Sequence, residues 1–128
     1  MDEKIITEYY RIIKNKISQQ DFTSAERSAD KLIENFPNNE NGYYYKGVCN
    51  FAQEKYEDAI RSYRAAIRIN PLFAKAYFNL GICYNTLSDY DNALISIGRA
   101  LFIFSKQKNP QAKQRCIEAL QTVLKERE

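Results

Sequence analysis

Histidine is absent from this chain of 128 residues. Its absence removes the usual general base, the usual partner of a catalytic serine or cysteine, and the commonest metal ligand. The sequence also lacks a phosphate-binding loop, a dinucleotide-binding glycine pattern and a Cys-x-x-Cys pair. Adjacent acids such as Glu57 and Asp58 fall where the first turn of a helix is expected, which favours capping over acid–base catalysis. We therefore expect no enzymatic activity, no cofactor and no metal.

Long apolar runs and a strong net charge are missing as well. The longest apolar run, Ala100 to Phe104, is far too short to cross a membrane. The start, MDEKIITEYY, lacks the basic and then apolar pattern of a secretory signal. A formal charge of +3 is too small to predict nucleic-acid binding by itself. These features predict a cytoplasmic chain, either a complete small protein or one domain of a longer protein.

The clearest pattern in the sequence runs from Ala74 to Leu101 and predicts two short helices joined by a turn. Apolar residues recur there at intervals of three and four, as they do along one face of an α-helix. Ser88 and Asp89 provide the turn and a helix-capping residue between the two halves. A helix pair of this size cannot bury both apolar faces alone, so it requires neighbours. The apolar positions are Tyr77, Leu80, Gly81 and Tyr84, followed by Tyr90, Ala93, Leu94, Ile97, Ala100 and Leu101.

Similar segments lie upstream at a constant interval of 34 residues. Tyr90 falls on Tyr56 and then on Phe22, since 90 minus 56 and 56 minus 22 are both 34. A helix–turn–helix unit of this length is typical of tetratricopeptide repeats, and residues 74–101 resemble that family's consensus. Other positions that recur at this interval are Ala93, Ala59 and Ala25; Tyr77, Tyr43 and Tyr9; Gly81 and Gly47; and Pro71 and Pro37.

This resemblance implies an all-α fold, a right-handed α-solenoid of three repeats at about 6–39, 40–73 and 74–107. Residues 108–128 are then expected to form a C-terminal capping helix, because the last repeat of a stack otherwise exposes an apolar face. Asn109 followed by Pro110 predicts the start of this helix, and its end is expected near Arg127. Its predicted apolar side carries Ala112, Cys116, Ile117, Leu120, Val123 and Leu124.

The first repeat departs from the family pattern at one position. Ile13 stands where the later repeats have glycines that allow the two helices of a pair to approach closely. Ala29, in turn, occupies the position of the larger Tyr63 and Ile97 in the facing helix. The large and small residues have exchanged sides, which roughly conserves volume.

The three cysteines are an odd number and are predicted to be reduced. Cys49 and Cys83 occupy equivalent positions of two repeats, which places them about a helix pair apart and beyond disulfide reach. Cys116 belongs to the predicted capping helix. We interpret all three as buried thiols of the core and not as redox or metal groups.

A binding surface remains as the expected functional element. In proteins that resemble this one, the first helix of each repeat lines a concave groove that receives a peptide. The equivalent positions here form an aromatic groove with a basic edge, and exposed aromatic rings are typical binding anchors. The alternative is that Tyr44, Phe51 and Phe78 only enlarge the core or are covered by the last helix. The predicted groove residues are Tyr10, Lys14, Tyr44, Tyr45, Val48, Phe51, Lys75, Phe78, Asn79, Ile82 and Asn85.

Some co-chaperones that resemble this fold hold the acidic tail of a heat-shock chaperone in a carboxylate clamp. That clamp requires Lys, Asn, Asn, Lys and Arg, and of the five equivalent positions only Lys75 matches. Aromatic residues replace two of the others, which favours an apolar or amphipathic ligand over an acidic tail. The five positions here are Tyr10, Lys14, Tyr45, Lys75 and Asn79.

The resemblance therefore implies an adaptor or scaffold that binds a peptide or helix of a partner protein. The first alternative is a chaperone that shields an apolar segment of a client protein. Nucleic-acid binding is a less favoured alternative, since Arg61 pairs with Glu57 at i to i+4 and charged helix faces are usually solvated. Its cations would be Arg61, Arg64 and Arg68, together with Lys106, Lys108, Lys113 and Arg115. Self-association would use the N-terminal face formed by Ile5, Ile6, Tyr9 and Ile12.

Overall fold

Seven α-helices and no strands make up the chain in the computed structural model, which describes residues 1–128. The limits of the last helix, α7, agree with the prediction. The predicted all-α helical-repeat fold is confirmed. None of the helices combines the length and the apolar character needed to cross a membrane. The helices are α1 (Asp2–Ser18), α2 (Phe22–Asn35), α3 (Glu40–Ala52), α4 (Tyr56–Ile69), α5 (Ala74–Thr86), α6 (Tyr90–Lys106) and α7 (Pro110–Arg127).

The helices belong to two compact units. The first unit, Met1–Ile69, contains α1 to α4, and the second, Asn70–Glu128, contains α5 to α7. In the first unit α1 packs on α2, α2 on α3 and α3 on α4, and in the second α5 packs on α6 and α6 on α7. The division into three repeats and a capping helix stays a prediction.

Close approach between paired helices depends on glycine in the second and third pairs. A Cβ at Gly47 would lie 2.6 Å from the ring of Tyr63, and one at Gly81 would lie 2.4 Å from Ile97. In the first pair, Ile13 and Ala29 are both fully buried in one core cluster with Leu32. The predicted exchange of large and small residues is confirmed.

The turns that follow α1, α3, α5 and α6 share one backbone design. Gln20, Glu54, Ser88 and Lys108 all have φ between 55° and 62°, in the left-handed region, although none of them is glycine. In the first turn the N–H of Gln20 donates to the carbonyl of Ile17, and the N–H of Asp21 donates to that of Lys16. This pair of bonds is the Schellman motif, which satisfies carbonyls at the end of a helix.

The residue after each left-handed position begins the next helix. Asp21 accepts a hydrogen bond from the Ser24 N–H, and Asp89 and Asn109 do the same for α6 and α7. Of these, Asp89 and Asn109 are the capping residues that the sequence predicted. Lys55 occupies this position before α4 and carries no acceptor, so three of the four turns are capped in this way.

Helix α7 buries Ala112, Cys116 and Val123 and packs on α6. At its end, Arg127 pairs with Asp91 at the start of α6, with 3.2 Å between nitrogen and oxygen. The prediction placed Leu124 on the buried side, and this was wrong, because Leu124 is 49% exposed. All three cysteines are free and buried, as predicted.

Candidate functional site

The predicted groove residues are distributed over both units. Six lie on α1 and α3 of the first unit, and five lie on α5 of the second. Lys14 and Lys75 are exposed, and the remaining nine are partly exposed. The first set is Tyr10, Lys14, Tyr44, Tyr45, Val48 and Phe51, and the second is Lys75, Phe78, Asn79, Ile82 and Asn85.

Three tyrosines of the first unit form one aromatic group, here called the tyrosine cluster: Tyr10, Tyr44 and Tyr45. The ring of Tyr10 on α1 lies 5.7 Å from that of Tyr45 on α3, centre to centre, at an angle of 61°. Tyr44 lies 5.8 Å from Tyr45 at 67°, and its ring also lies 5.9 Å from that of Tyr63. The two pairs within the cluster are edge-to-face, an arrangement that is favourable for aromatic rings. The cluster therefore joins α1 to α3 across a partly exposed surface.

The hydroxyl of Tyr10 is engaged within the protein. It donates to Oδ1 of Asn39 at 3.1 Å and accepts from the side-chain amides of Asn39 at 2.8 Å and Asn41 at 3.0 Å. Asn39 also accepts from the Gly42 N–H and so caps α3. The network fixes the Tyr10 ring against the start of α3, which leaves ring surface, and not a hydroxyl donor, for a ligand.

Tyr45 has a structural role as well as a place in the predicted groove. It packs against the buried cluster of Ile13, Ala29 and Leu32. Burial, together with the neighbouring Tyr10 and Tyr44, raises the pKa of Tyr45 to about 12. Tyr45 is therefore neutral at physiological pH and acts as a rigid support under the other two rings.

The remaining residues of the first set extend the surface along α1 and α3. Lys14, which lies one helical turn after Tyr10 on α1, is exposed and makes no ion pair in the structure. The ring of Phe51 lies 5.3 Å from that of Tyr56 at an angle of 66°. Phe51 thus contacts the start of α4, which partly supports the alternative of a core role for this residue.

In the second unit, Asn85 is the unusual member of the predicted set. Its Oδ1 is buried and has no hydrogen-bond partner. A buried acceptor without a partner costs about 1–3 kcal/mol. The equivalent residue 34 positions earlier is Phe51, which has no polar group to satisfy.

Several acidic side chains of the first unit form ion pairs. Asp30 pairs with Lys46 at 2.7 Å, and Glu26 lies 3.6 Å from Lys55. Arg61 pairs with Asp58 at i to i+3. The predicted pair of Arg61 with Glu57 is therefore wrong, because Asp58 lies closer to the guanidinium group along the helix.

The N-terminal face is less exposed than the sequence predicted. Ile6 and Tyr9 pack against the core cluster around Ile13, and the Tyr9 hydroxyl accepts a hydrogen bond from Asn35 at 2.9 Å. Ile5 remains 46% exposed. Self-association through this face stays a prediction, and its apolar area is centred on Ile5 and Ile12.

One apolar surface was missed by the sequence interpretation. In the second unit, Leu72, Ile95 and Phe102 are 66%, 57% and 64% exposed. They border a shallow cavity of about 430 Å³. Helix α6 is apolar on more than one side, so its periodicity alone did not separate the exposed positions from the buried ones. Comparison of the repeats could have identified these residues as exposed, because the equivalent positions 34 residues earlier, 38, 61 and 68, are polar.

Family models support this description of the chain. Residues 49–88 match the model described as "TPR repeat", and residues 74–103 match the one described as "Tetratricopeptide repeat". The two matches, which together span residues 49–103, support assignment to the tetratricopeptide-repeat family. No curated protein sequence matches it.

Solved tetratricopeptide-repeat structures are similar to the whole chain. A complex of the yeast Sti1 TPR2B domain with pHsp70 has a TM-score of 0.91 at 18% identity, covering 95% of this chain and 98% of that one. PcrH, a protein of Pseudomonas aeruginosa, in complex with the chaperone-binding region of PopD gives 0.92 at 18% identity, covering 100% and 97%.

A third similar structure is the Yersinia enterocolitica type III secretion chaperone SycD in complex with a peptide of the translocator YopD. Its TM-score is 0.89 at 16% identity, and the match covers 98% of this chain and 96% of that one. At these identities the likeness establishes the fold.

Proposed function

We propose that this tetratricopeptide-repeat protein is a non-enzymatic binding module that holds a segment of a partner protein against the tyrosine cluster. The observation that carries this proposal is the contact of the Tyr45 ring with the rings of both Tyr10 and Tyr44 across α1 and α3. Rings already fixed against each other lose little conformational entropy when a ligand covers them. The similar Sti1, PcrH and SycD structures, all complexes with a partner or a peptide of one, support a binding role.

The chemistry of the surface favours an apolar or amphipathic segment. The Tyr10 hydroxyl is occupied by Asn39 and Asn41, so the cluster offers ring faces and edges. Lys14 adds one exposed cation, which favours an acidic residue beside the apolar part of the ligand. An acidic chaperone tail held by a carboxylate clamp is not expected, since only Lys75 matches the clamp. The five predicted residues of α5 are proposed as a second contact region for the partner.

A chaperone for an apolar client segment is the second candidate function. It is favoured by the similarity of PcrH and SycD, each covering nearly the whole chain, and by the apolar character of the cluster. An adaptor binds a segment that is stable alone, whereas a chaperone binds one that aggregates alone. Solubility of the isolated client segment, with and without this protein, separates the two functions.

Site-specific photo-crosslinking tests the proposal. A photoreactive phenylalanine analogue replaces Lys14 beside the cluster, and a matched control carries it at Arg115, an exposed position of α7. We expect adducts with defined partner segments from position 14, and we expect Tyr44→Ala to reduce them at least tenfold while helicity stays unchanged. Equal adducts from both positions, or adducts that persist in Tyr44→Ala, would refute the cluster as the site.

A further inference from the structure

The outward positions of α6 differ in chemistry from the equivalent positions of α2 and α4. Ile95, Gly98 and Phe102 lie along one side of α6, at intervals of three and four. Shifted by 34 and by 68 residues, all three positions are occupied by exposed charged residues. The repeat fold therefore accepts charge at these positions, and packing does not require apolar residues there. The charged equivalents are Arg61, Arg64 and Arg68 in α4, and Arg27, Asp30 and Glu34 in α2.

These apolar residues form a continuous exposed area within the second unit. Together with Leu72 and Leu94 they border a shallow cavity of about 430 Å³. We call this area the α6 outer patch, defined as Leu72, Leu94, Ile95, Gly98 and Phe102. Grouped apolar side chains on a surface typically mark a contact with another molecule.

Gly98 is the most informative member of the patch. A Cβ at this position would meet no atom within 4 Å, whereas one at Gly47 or Gly81 would collide with the facing helix. Internal packing therefore gives no reason for glycine in the middle of α6, where glycine is unfavourable compared with alanine. Its effect is a hollow between Ile95 and Phe102, which lie about 10 Å apart along the helix.

Two cations border the patch without acidic partners. Arg99 and Lys106 are exposed and make no ion pair, in contrast to Lys46, Lys55 and Arg127. The ammonium group of Lys106 lies 5.4 Å from the centre of the Phe102 ring. The charge beside this apolar area is thus positive, and it is complementary to a ligand that carries carboxylates next to its apolar residues.

We propose that the α6 outer patch is a second binding surface, which takes an amphipathic helix of a partner protein. One apolar side chain of that helix enters the hollow at Gly98, between the ridges formed by Ile95 and Phe102. Its neighbours at i±3 and i±4 cover those two residues, and flanking Asp or Glu residues pair with Arg99 and Lys106. This surface is separate from the tyrosine cluster and does not depend on the function proposed for it.

Selection from a displayed library of random 16-residue peptides tests this inference. Peptides are selected on the wild-type protein and depleted on the Ile95→Glu, Phe102→Glu double variant. We expect the enriched peptides to share apolar residues at helical spacing and at least one flanking acidic residue. One enriched peptide is then synthesised, and its Kd is measured by fluorescence anisotropy.

Single variants assign the contact to particular residues. Gly98→Leu fills the hollow and is expected to raise the Kd of the peptide at least tenfold. Arg99→Glu is expected to raise it at least fivefold, with a smaller change at high salt. Leu124→Glu, on an exposed apolar position of α7, and Tyr44→Ala, in the tyrosine cluster, are expected to change the Kd less than twofold.

Several results would overturn the inference. These are a selection that enriches no peptide, enriched peptides without acidic residues, and a Kd that is unchanged in Gly98→Leu. Sedimentation velocity at about 5 to 200 µM tests whether a second copy of this chain covers the α6 outer patch. Self-association of the wild type that is lost in the double variant would replace the partner helix by a second copy and refute the proposal as stated.

Discussion

Gly47 lies directly against the ring of Tyr63, so that a Cβ on the glycine would come within 2.6 Å of a ring carbon. The third helix pair repeats this relationship with Gly81 and Ile97. In the first pair the same space is filled from the other side, by Ile13 opposite Ala29. One large and one small residue therefore fill each helix pair, and which helix carries the large one is not fixed.

The substitution Gly47→Ala is expected to destabilise the protein by about 1–3 kcal/mol, because the added methyl group must displace a buried ring. The free energy of unfolding, measured by urea denaturation, reports this loss. In a Tyr63→Leu background the smaller side chain leaves room for the methyl group. The cost of Gly47→Ala is expected to fall by at least half there, and an unchanged cost would show that the ring is not its cause.

The substitution Gly98→Ala is expected to stabilise the protein, in contrast to Gly47→Ala. A Cβ at Gly98 meets no other atom, and alanine is favoured over glycine within a helix by about 0.5–1 kcal/mol. Urea denaturation should show a gain of that size. A loss of stability would mean that Gly98 has an internal role after all.

The substitution Glu54→Gly is expected to stabilise the turn between α3 and α4 by about 0.5–1 kcal/mol. Glu54 has a φ of 62°, where a side chain costs about 1–2 kcal/mol and glycine does not, although glycine also loses more backbone freedom on folding. The melting temperature measures the change. Glu54→Ala keeps a Cβ and serves as the control, for which we expect no such gain.

The buried thiols make stability fall at alkaline pH. Burial raises the pKa of Cys49 and of Cys83 from an ordinary value of 9.0 to about 12. Below pH 9 the thiols are protonated in both the folded and the unfolded chain. As the pH rises from 9 toward 12, only the unfolded chain releases these protons, so the folded state loses stability.

Each thiol is expected to contribute about 1 kcal/mol of this loss at about pH 10. Unfolding free energies of the wild type and of a Cys49→Ala, Cys83→Ala variant, measured at pH 8 and pH 10, test the effect. The variant should show the weaker pH dependence. Equal slopes for the two proteins would exclude the thiols as its source.

The substitution Asn85→Leu is expected to raise the free energy of unfolding by about 1 kcal/mol, since it removes a buried acceptor that has no partner. Asn50→Leu is the matched control. The Oδ1 of Asn50 accepts a hydrogen bond from the Ser62 hydroxyl at 2.9 Å, and both residues are buried. This substitution leaves the hydroxyl unpaired and should cost about 1–3 kcal/mol. The same sign for both variants would contradict the explanation.

The sequence predicted the helices and the pairing of large with small residues because both follow from a repeated pattern. A 34-residue interval aligned Ile13 with Gly47 and Ala29 with Tyr63, and volume conservation supplied the remaining step. Capping by Asp89 and Asn109 was predicted as well, since short polar side chains directly before a helix commonly accept a hydrogen bond from its first turn.

Features that depend on geometry between elements were not predictable in this way. Phe102 belongs to a helix with apolar residues on more than one side, so periodicity did not determine which side is buried. Leu124 follows the apolar spacing of α7 but is exposed, because only part of that apolar side is covered. The double role of Tyr45, in the core and in the cluster, depends on the distance between α1 and α3. The left-handed turn residues were missed because their side chains, such as those of Gln20 and Glu54, do not favour that conformation. The groove as a peptide site stays a prediction.

The capped turns have a consequence for the tolerance of the chain to insertions and deletions. The N–H of Asp21 donates to the last turn of α1, and its carboxylate accepts from the first turn of α2. Each residue of this turn is therefore hydrogen-bonded to one of the two helices. One added residue would prevent a single residue from making both hydrogen bonds, and backbone groups at one helix end would lose their partner. We expect natural and engineered length changes to be excluded from these turns. We expect added residues to be tolerated better beside Pro37 and Pro71, which are exposed and lie outside the helices.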